Sequence, residues 1–362
     1  MRRALCIAGA LLCSGSVFAA SQRSFVSGIG VDTNPCSRTE PCRSFATAML
    51  ATSPNGEIVV LDSAGFGTLM ITQAVAVVSP LGVHAGISAF SGDAVTVTAA
   101  ANDVVVLRNL YINSQGASTG ITFTSGSGLH IENCVVSGFS AANIALTPST
   151  DAHVEITDTI ARLSPGAAVY ANSAVSLSVL IDRSRFEASQ YGVVADRATL
   201  SIVNSVAERN DLYGFFARGQ GAPTKMTIEG SVASGGFAAI AVWNSSAATA
   251  HNVTASNATF VAFYAESGGH LAIENCIAAL SARGIYAING ADVSVANSTI
   301  ANNTYNGIEV GGATVRLTRN TITRNDTGID VNYQGTLNSA GDNFVDGNTN
   351  PNFGTITVVP KT

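Results

Sequence analysis

One short pattern returns about every 23 residues between Leu107 and Val331: an apolar residue, a polar residue, usually Asn, and then a small residue. The spacing between successive copies drifts from 21 to 26 residues. The aligned apolar positions are Leu107, Ile131, Ile156, Ile181, Ile202, Ile228, Ala250, Ile273, Val295 and Leu317. A drifting repeat of this length is typical of a solenoid, because one turn can gain or lose a residue without disturbing its neighbours.

Asn dominates the position two residues after each aligned apolar residue. Six of the ten repeats carry it there: Asn109, Asn133, Asn204, Asn252, Asn275 and Asn297. Asn tolerates the left-handed backbone of a tight turn, and its amide both donates and accepts hydrogen bonds. We therefore predict a corner in every repeat and a ladder of buried, stacked amides. On this basis, loss of Asn275 is expected to destabilise the protein far more than loss of Ser281.

A second corner follows about ten residues later, where Gly or Asn precedes an apolar residue, as in Gly284-Ile285. After it, apolar and polar residues alternate, as in Ile308-Glu309-Val310, which is the pattern of a strand with one buried face. Each repeat is therefore predicted to form two or three short strands. Stacked in parallel at about 4.8 Å, ten repeats make a rod roughly 45 Å long.

Three segments carry a resemblance to a known family: Ile131–Val135, Ile273–Ile277 and Val295–Ile300, each followed by a Gly or Asn corner. They resemble the right-handed parallel β-helix repeat proteins of the pectin-lyase-like superfamily, over residues 55 to 350. The resemblance implies an all-β chain, a single-stranded right-handed parallel β-helix of about 12 rungs. It implies little about activity, because the superfamily includes lyases, hydrolases, epimerases, adhesins and members of unknown role.

The chain divides into four predicted segments. Residues 1–19 read as a signal peptide, with Arg2 and Arg3 before an apolar run and Ala19 at the cleavage site. Residues 20–54 form an N-terminal cap, residues 55–337 the β-helix and residues 338–362 a C-terminal cap. The protein is thus predicted to be secreted or periplasmic. No later run is long and apolar enough to span a membrane.

The N-terminal cap is predicted to contain a short helix that begins after Ser44 and buries Phe45, Ala48 and Met49. A solenoid needs such a lid, because its first rung exposes core and an unpaired sheet edge. The resemblance extends here to the N-terminal caps of secreted bacterial β-helix proteins.

Four cysteines remain after the signal peptide. Cys36 and Cys42 are close enough in sequence to form a disulfide in an oxidising compartment, and metal binding is the rival interpretation, although no His accompanies them. Cys134 and Cys276 share a column six rungs apart, about 29 Å, which is beyond disulfide reach. They are predicted to be free, buried thiols.

Charge argues against a nucleic-acid partner. Without Arg2 and Arg3, the chain has 16 basic and 24 acidic residues, a net charge near −8. Binding to phosphate needs a basic surface.

The sequence lacks familiar catalytic signatures. Hydrolases of the resembled superfamily carry Asn-Thr-Asp, paired Asp and Gly-His-Gly elements, and this chain contains no such Asp pair and no Gly-His-Gly. His130 is predicted to face Glu155 across one rung, as a surface hydrogen bond or, alternatively, as an acid–base pair. Arg162, Glu187 and Glu208 are predicted to form a surface ion-pair ladder.

The outward column after the second corner is the best candidate for function. Its distinctive members are Tyr170, Phe216, Tyr264, Tyr286, Glu309 and Asp330. Two interpretations stay open: a solvent-facing track on which sugar rings stack, ending in hydrogen-bond acceptors, or aromatic residues that only shield the strands. Glu309 and Asp330 are also candidate ligands for a calcium ion between rungs; otherwise no metal or cofactor is predicted.

The predicted function is that of a secreted β-helix protein that binds a polysaccharide, a cell-surface glycan or another surface partner without catalysis. The alternative is a polysaccharide lyase or glycoside hydrolase with a non-standard site. An acidic cluster beside an Arg in a deep groove favours the enzyme, whereas a flat aromatic face favours binding.

Overall fold

The computed structural model describes residues 20–222 and 224–359, so the predicted signal peptide, residues 1–19, lies outside the described residues. The described chain winds into a parallel β-solenoid of about 13 turns. A typical turn contributes one strand to each of three sheets, named here sheet A, sheet B and sheet C. The predicted all-β solenoid with a short N-terminal helix is confirmed.

Within the described residues, sheet A contains 15 strands and sheets B and C contain 13 strands each. Those of sheet A are Ser21–Val26, Thr52–Val60, Val75–Val78, Val104–Arg108, Gly128–Glu132, Ala152–Thr157, Leu177–Asp182, Thr199–Val203, Lys225–Glu229, Ala247–His251, His270–Glu274, Asp292–Ala296, Thr314–Thr318, Thr336–Ser339 and Ile356–Val358. Those of sheet B are Ala64–Gly65, Ala85–Ala89, Leu110–Ser114, Val135–Ser137, Ile160–Arg162, Arg185–Glu187, Val206–Glu208, Val232–Ser234, Thr254–Ser256, Ile277–Ala279, Thr299–Ala301, Thr321–Thr323 and Phe344–Val345. Those of sheet C are Leu69–Ile71, Asp93–Thr98, Thr119–Ser125, Ala142–Leu146, Ala167–Asn172, Tyr191–Arg197, Tyr213–Ala217, Ala238–Val242, Val261–Ala265, Arg283–Ile288, Asn306–Gly311, Thr327–Asn332 and Asn350–Phe353.

One apolar core runs along the described solenoid. Side chains alternate between the two faces of a strand, so every second residue points inward. In sheet C, Ile121, Ile144 and Val169 lie in register in three successive turns and are fully buried. Phe215 and Phe263 fill the same column further along. The stacked turns thus bury a surface that no single turn could bury alone.

The Asn column forms the corner between sheets A and B, but it is not buried. Its members, Asn109, Asn133, Asn204, Asn252, Asn275 and Asn297, have φ angles between 49° and 60°, as a left-handed corner requires. Asn109 is half-buried and the other five are exposed. Asn133 donates to Asn109 at 2.8 Å, whereas Asn275 donates to His251. The prediction that these amides are buried is therefore wrong.

The buried ladder of this corner lies one residue further on. In most turns from Thr159 to Asn343, the side chain there accepts a hydrogen bond from the backbone N–H at the same position of the preceding turn; Val253, whose side chain has no acceptor, interrupts the series. Cys134 N–H donates to Thr159 Oγ1 at 3.2 Å, and Thr159 N–H donates to Ser184 Oγ at 3.2 Å. Nearer the C-terminus, Asn320 accepts from Ser298 N–H at 2.9 Å. The small residues of this column therefore satisfy buried backbone donors.

A second buried ladder follows the corner between sheets B and C. Ser281 Oγ accepts from Ala258 N–H at 3.1 Å, and Asn303 Oδ1 accepts from Ser281 N–H at 3.1 Å. Asn325 accepts from Asn303 N–H in the next turn. Ser281, Asn303 and Asn325 are all buried.

The predicted helix is present near the N-terminus. The helix α1 spans Phe45–Ala51, Ser44 caps its first turn, and Phe45, Ala48 and Met49 are buried. The strand Ser21–Val26 pairs in parallel with the strand that follows the helix, so the cap also begins sheet A. Together these elements cover the first turn of the core.

The cysteines also follow the prediction. Cys36 and Cys42 form a disulfide. Cys134 and Cys276 are free and buried.

Residues 338–359 continue the solenoid instead of forming a separate cap. Ile356 pairs with Leu337 in parallel register, and Asn350–Phe353 extends sheet C. The predicted C-terminal cap is thus a further turn, which leaves strand edges at this end of the described chain. Among the described residues, no helix has the length and hydropathy needed to cross a bilayer.

Candidate functional site

The outward column of sheet C is in exact register, as the repeat alignment predicts. Tyr170, Val194 and Phe216 are neighbours on successive strands, and so are Tyr264, Tyr286, Glu309 and Asp330. Each neighbour lies about one strand spacing, roughly 4.8 Å, from the next. All six predicted site residues therefore share one face of the solenoid.

This face is not the open aromatic track that the sequence predicts. Phe216 is 2% exposed, Tyr264 is 7% exposed and Glu309 is 9% exposed. Tyr170, Tyr286 and Asp330 are half-buried. The prediction that Phe216 and Tyr264 present their rings to solvent is wrong, because rings from neighbouring columns pack over them.

A second apolar cluster, separate from the core, causes this burial. We call it the ring cluster. It contains Tyr191, Tyr213, Phe216, Phe237, Trp243, Phe260, Tyr264 and Tyr286. Trp243 packs edge-on against Phe216 at 4.8 Å and against Tyr264 at 6.0 Å between ring centroids. Tyr264 and Tyr286 stack at 5.6 Å with an interplanar angle of 7°. Burial raises the pKa of Tyr213 to about 12.

The ring cluster ends toward the C-terminus in a polar patch formed by Arg283, Asn306, Glu309 and Asp330, here called the acidic patch. Arg283 Nε donates to Glu309 Oε2 at 2.5 Å, and Asn306 Nδ2 donates to the same oxygen at 2.8 Å. Asn306 Nδ2 also lies 3.4 Å from Asp330 Oδ2. One amide thus joins the two carboxylates.

One carboxyl group of the acidic patch, that of Asp330, lies in surroundings that disfavour its charged form. Burial raises the pKa of Asp330, and the negative charge of Glu309 raises it further. Burial and Glu309 also raise the pKa of Tyr286. Glu309, in contrast, has Arg283 as a direct cationic partner. The two carboxyl groups of the patch therefore lie in different electrostatic surroundings.

Aromatic rings surround the guanidinium of Arg283. It lies 4.7 Å from the Phe260 centroid, 5.1 Å from that of Tyr286 and 5.9 Å from that of Tyr305. Such cation–π contacts fix a cation over ring faces. Tyr305 is 58% exposed and Tyr333 is 86% exposed. These two tyrosines are accessible rings beside the acidic patch, and so is Phe353, which is 57% exposed and pairs in register with Asp330.

Toward the N-terminus, the ring cluster ends in a second polar group formed by Tyr170, Asn172, Asp196 and Arg218, here called the Arg218 cluster. Arg218 Nε donates to Asp196 Oδ1 at 2.7 Å, and Nη2 donates to Oδ2 of the same carboxylate. Tyr170 Oη donates to Asp196 Oδ2 at 3.0 Å and accepts from Asn172 Nδ2 at 2.9 Å. The buried carboxylate is therefore fully partnered.

The pKa of Asp196 reflects this pairing. Burial acts to raise it, but the hydrogen bonds and positive charge of Arg218 prevail and hold the pKa of Asp196 below its ordinary range. Burial and the Asp196 carboxylate raise the pKa of Tyr170. The cluster is thus a neutral unit at ordinary pH, with a bidentate ion pair at its centre.

Sequence reasoning found the central column but missed its two flanks. Arg283 and Asn306 lie three residues before Tyr286 and Glu309, and Arg218 lies two residues after Phe216. Arg218 projects from the same face as Phe216 by strand alternation, whereas Arg283 and Asn306 reach that face because two consecutive buried residues, such as Gly284 and Ile285, interrupt the alternation after them. These residues could be identified from the repeat alignment if the columns on either side of the central column were compared as well.

Two other predicted contacts are formed, one between half-buried side chains and one that includes the buried Glu187. His130 Nδ1 lies 3.0 Å from Glu155 Oε2, as the predicted hydrogen bond requires. Glu187 contacts Arg162 at 3.8 Å, as the predicted ion-pair ladder requires, and it is linked to Glu208 through Arg185, which the prediction did not include. Among residues 20–222 and 224–359, no three His, Cys, Asp or Glu side chains form a metal-holding group. A calcium ion between Glu309 and Asp330 stays a prediction.

The fold and this face define a class: a parallel β-solenoid with a cluster of aromatic side chains, flanked by charged groups, on the outer face of sheet C. The model of the right handed beta helix region matches residues 93–260 and 238–356. The chain therefore belongs to the right-handed β-helix family. Comparison with curated protein sequences found no match.

Solved structures show the same fold. The A-module of the mannuronan C-5 epimerase AlgE4 from Azotobacter vinelandii is 13% identical, with 95% of this chain and 98% of that chain covered and a TM-score of 0.57. The periplasmic alginate epimerase AlgG is 10% identical, with 84% and 77% covered and a TM-score of 0.56. The Dettilon tailspike protein is 14% identical, with 87% and 63% covered and a TM-score of 0.53. At such identities, the similarity extends to the fold alone.

Proposed function

We propose that this protein binds a polysaccharide along the outer face of sheet C. The observation that carries the proposal is the acidic patch, where Arg283, Glu309 and Asp330 lie beside the exposed rings of Tyr305 and Tyr333. Exposed rings bind the apolar faces of sugars, while carboxylates and a guanidinium bind their hydroxyl groups. The alginate and mannuronan epimerases, which share the fold, have polysaccharide substrates by name.

The shape of the site favours binding of a polysaccharide on a surface over catalysis in an enclosed active site. Phe216, Trp243 and Tyr264 fill the centre of the face, so a ligand passes over a packed surface instead of entering a deep groove. The bound chain contacts the edge of the ring cluster and the polar groups at its ends. Export to an oxidising compartment belongs to this proposal, and the Cys36–Cys42 disulfide supports it.

The test compares polysaccharide binding by the mature chain, from residue 20 onward, with that of a Tyr305→Ala/Tyr333→Ala variant. Both rings are exposed, so their removal should leave the fold intact. We expect binding to weaken by about five- to 150-fold, since loss of two ring contacts at roughly 0.5–1.5 kcal/mol each removes about 1–3 kcal/mol. Isothermal titration calorimetry against a panel of neutral and acidic polysaccharides provides the measurement.

Tyr111→Ala is the matched control. Tyr111 is also an exposed tyrosine, but it lies on sheet B, in the strand Leu110–Ser114. It should bind as the unmodified protein does. If the Tyr305→Ala/Tyr333→Ala variant bound polysaccharide as tightly as the unmodified protein, the acidic patch would not be part of the binding site.

A second candidate function is cleavage of the bound polysaccharide, and one observation favours it. Burial and the neighbouring Glu309, which pairs with Arg283 at 2.5 Å, raise the pKa of Asp330, and a carboxyl group with a raised pKa beside a second carboxyl group is an arrangement that enzymes use for proton donation. Asp330→Asn separates the two functions. If the pair is catalytic, the variant should bind polysaccharide but release no shortened product, as measured by chromatography of the reaction mixture. Without catalysis, neither protein releases product.

A further inference from the structure

Side-chain size on the outer face of sheet C changes abruptly along two neighbouring columns: Ala145 is followed by Tyr170 in one, and Ala167 is followed by Tyr191 in the other. Thr119, Ala142, Ala145 and Ala167 are small, whereas Tyr170 and Tyr191 stand immediately after them. This step creates a pocket of about 410 Å³, with the small residues as its floor and the two tyrosines and Arg218 as its wall. The volume lies within the range of about 300–1,000 Å³ typical of small-molecule sites.

The wall of this pocket is held rigidly. Tyr170 is fixed by hydrogen bonds to Asp196 and Asn172, and Arg218 lies 5.9 Å from the Tyr170 ring centroid. Tyr191 stacks on Tyr213 at 5.9 Å with an interplanar angle of 21°. Both rings therefore occupy their positions before any ligand arrives. A preformed wall lowers the entropic cost of binding.

The chemistry of the pocket selects an uncharged ligand. Among the described residues that line it, Arg218 alone is charged, and its guanidinium is already paired with Asp196. A carboxylate in the pocket would have to compete with the buried Asp196 for this cation. The remaining polar groups include the neutral hydroxyls of Thr119 and Thr147, which both donate and accept hydrogen bonds.

From these observations we propose that the pocket is a subsite for one uncharged hexopyranose ring of a polysaccharide. The sugar's apolar C–H face lies on the alanine floor and against Tyr170 and Tyr191, while its hydroxyls reach the threonine hydroxyls at the rim. The inference rests on the proposed function, since it places one sugar of the bound chain. The proposed subsite also differs in chemistry from the acidic patch nearer the other end of sheet C. The acidic patch carries charged groups, whereas this pocket presents no unpaired charge.

The decisive variant fills the pocket. Ala145 is half-buried on the outer face and shares the column of Tyr170, so that column already accommodates an aromatic residue one strand away. Ala145→Phe should therefore fold normally and occupy the space of the sugar. Thr96→Phe is the control: Thr96 lies in the same column, two strands earlier and outside the pocket.

Binding of the full mature chain to an uncharged polysaccharide, dextran or mannan, and to a uronate polymer, polygalacturonate or alginate, is measured by calorimetry. We expect an uncharged polymer to bind, Ala145→Phe to weaken that binding at least tenfold, and Thr96→Phe to leave it unchanged. Thermal unfolding by circular dichroism verifies that both variants are folded. If Ala145→Phe does not fold, Tyr191→Ala, which removes one wall ring, replaces it with the same expected loss.

The other outcomes each overturn a stated claim. An uncharged polymer that binds equally well to Ala145→Phe and to the unmodified protein overturns the subsite and leaves the proposed function standing. Binding of uronate polymers alone overturns the assignment of an uncharged sugar. Absence of binding to either class overturns the proposed function and the subsite together.

Discussion

The Oγ atom of Ser281 accepts a hydrogen bond of 3.1 Å from the backbone N–H of Ala258, one turn earlier in the solenoid. Ser281 is 2% exposed, so no solvent can replace that acceptor without rearrangement. Asn275, six residues earlier, is exposed at a corner. The burial of the two residues is therefore opposite to that predicted from the sequence pattern, and we expect Ser281 to contribute more to stability than Asn275.

Replacing Ser281 by Ala should destabilise the protein by about 1–3 kcal/mol, because the Ala258 N–H would be buried without an acceptor. Urea unfolding monitored by circular dichroism measures the loss.

The matched change is Asn275→Gly, which keeps a residue suited to the left-handed φ of 53°. It should cost less than Ser281→Ala. If Asn275→Gly lost more stability than Ser281→Ala, the exposed Asn column, and not the buried column of Ser281, would be the main stabilising ladder.

Cys134 and Cys276 should resist alkylation in the native protein. Burial raises their pKa to about 12 and about 11, so the reactive thiolate is scarce near neutral pH. Treatment with iodoacetamide at pH 8, followed by mass spectrometry, should label both only after unfolding in urea. Cys36 and Cys42 should be labelled only after reduction. Labelling of Cys134 or Cys276 in the native protein would contradict their burial.

Asp196 should stabilise the protein in a pH-dependent manner. Its folded-state pKa is lowered by Arg218, so its contribution is present above its ordinary value of 3.8 and is lost as the pH falls through the lower folded value. Asp196→Asn should therefore be less stable than the unmodified protein at pH 7. The difference in melting temperature should narrow below pH 3.8. A difference independent of pH would rule out the ion pair as its source.

The contribution of Asp330 to stability should depend on pH in the opposite direction. Its folded-state pKa is raised by burial and by Glu309, so its favourable contribution is present below 3.8 and is lost as the pH rises through the raised folded value. Asp330→Asn should match or exceed the melting temperature of the unmodified protein at pH 7. That advantage should disappear in acid. A variant less stable than the unmodified protein at pH 7 would contradict the strained state of this carboxyl group.

The periodic pattern was sufficient to predict the solenoid. Alternation within strands and a repeat of about 23 residues determine which residues stack in one column, because each turn lies directly on the previous one. The exact register of Tyr264, Tyr286, Glu309 and Asp330 was therefore predictable. So were the helix at Phe45–Ala51 and its cap, which depend on neighbours in sequence.

Burial on the outer face depends on contacts that the repeat does not encode. The sequence alone determined that Phe216 and Tyr264 point away from the core; the tertiary structure decided that Trp243 and Phe260 pack over them. The same holds at the Asn corner, where the residue in the left-handed conformation points to solvent and the next one points inward. Periodicity determines the direction of a side chain, whereas its exposure is decided by side chains from other columns, whose packing depends on their shape.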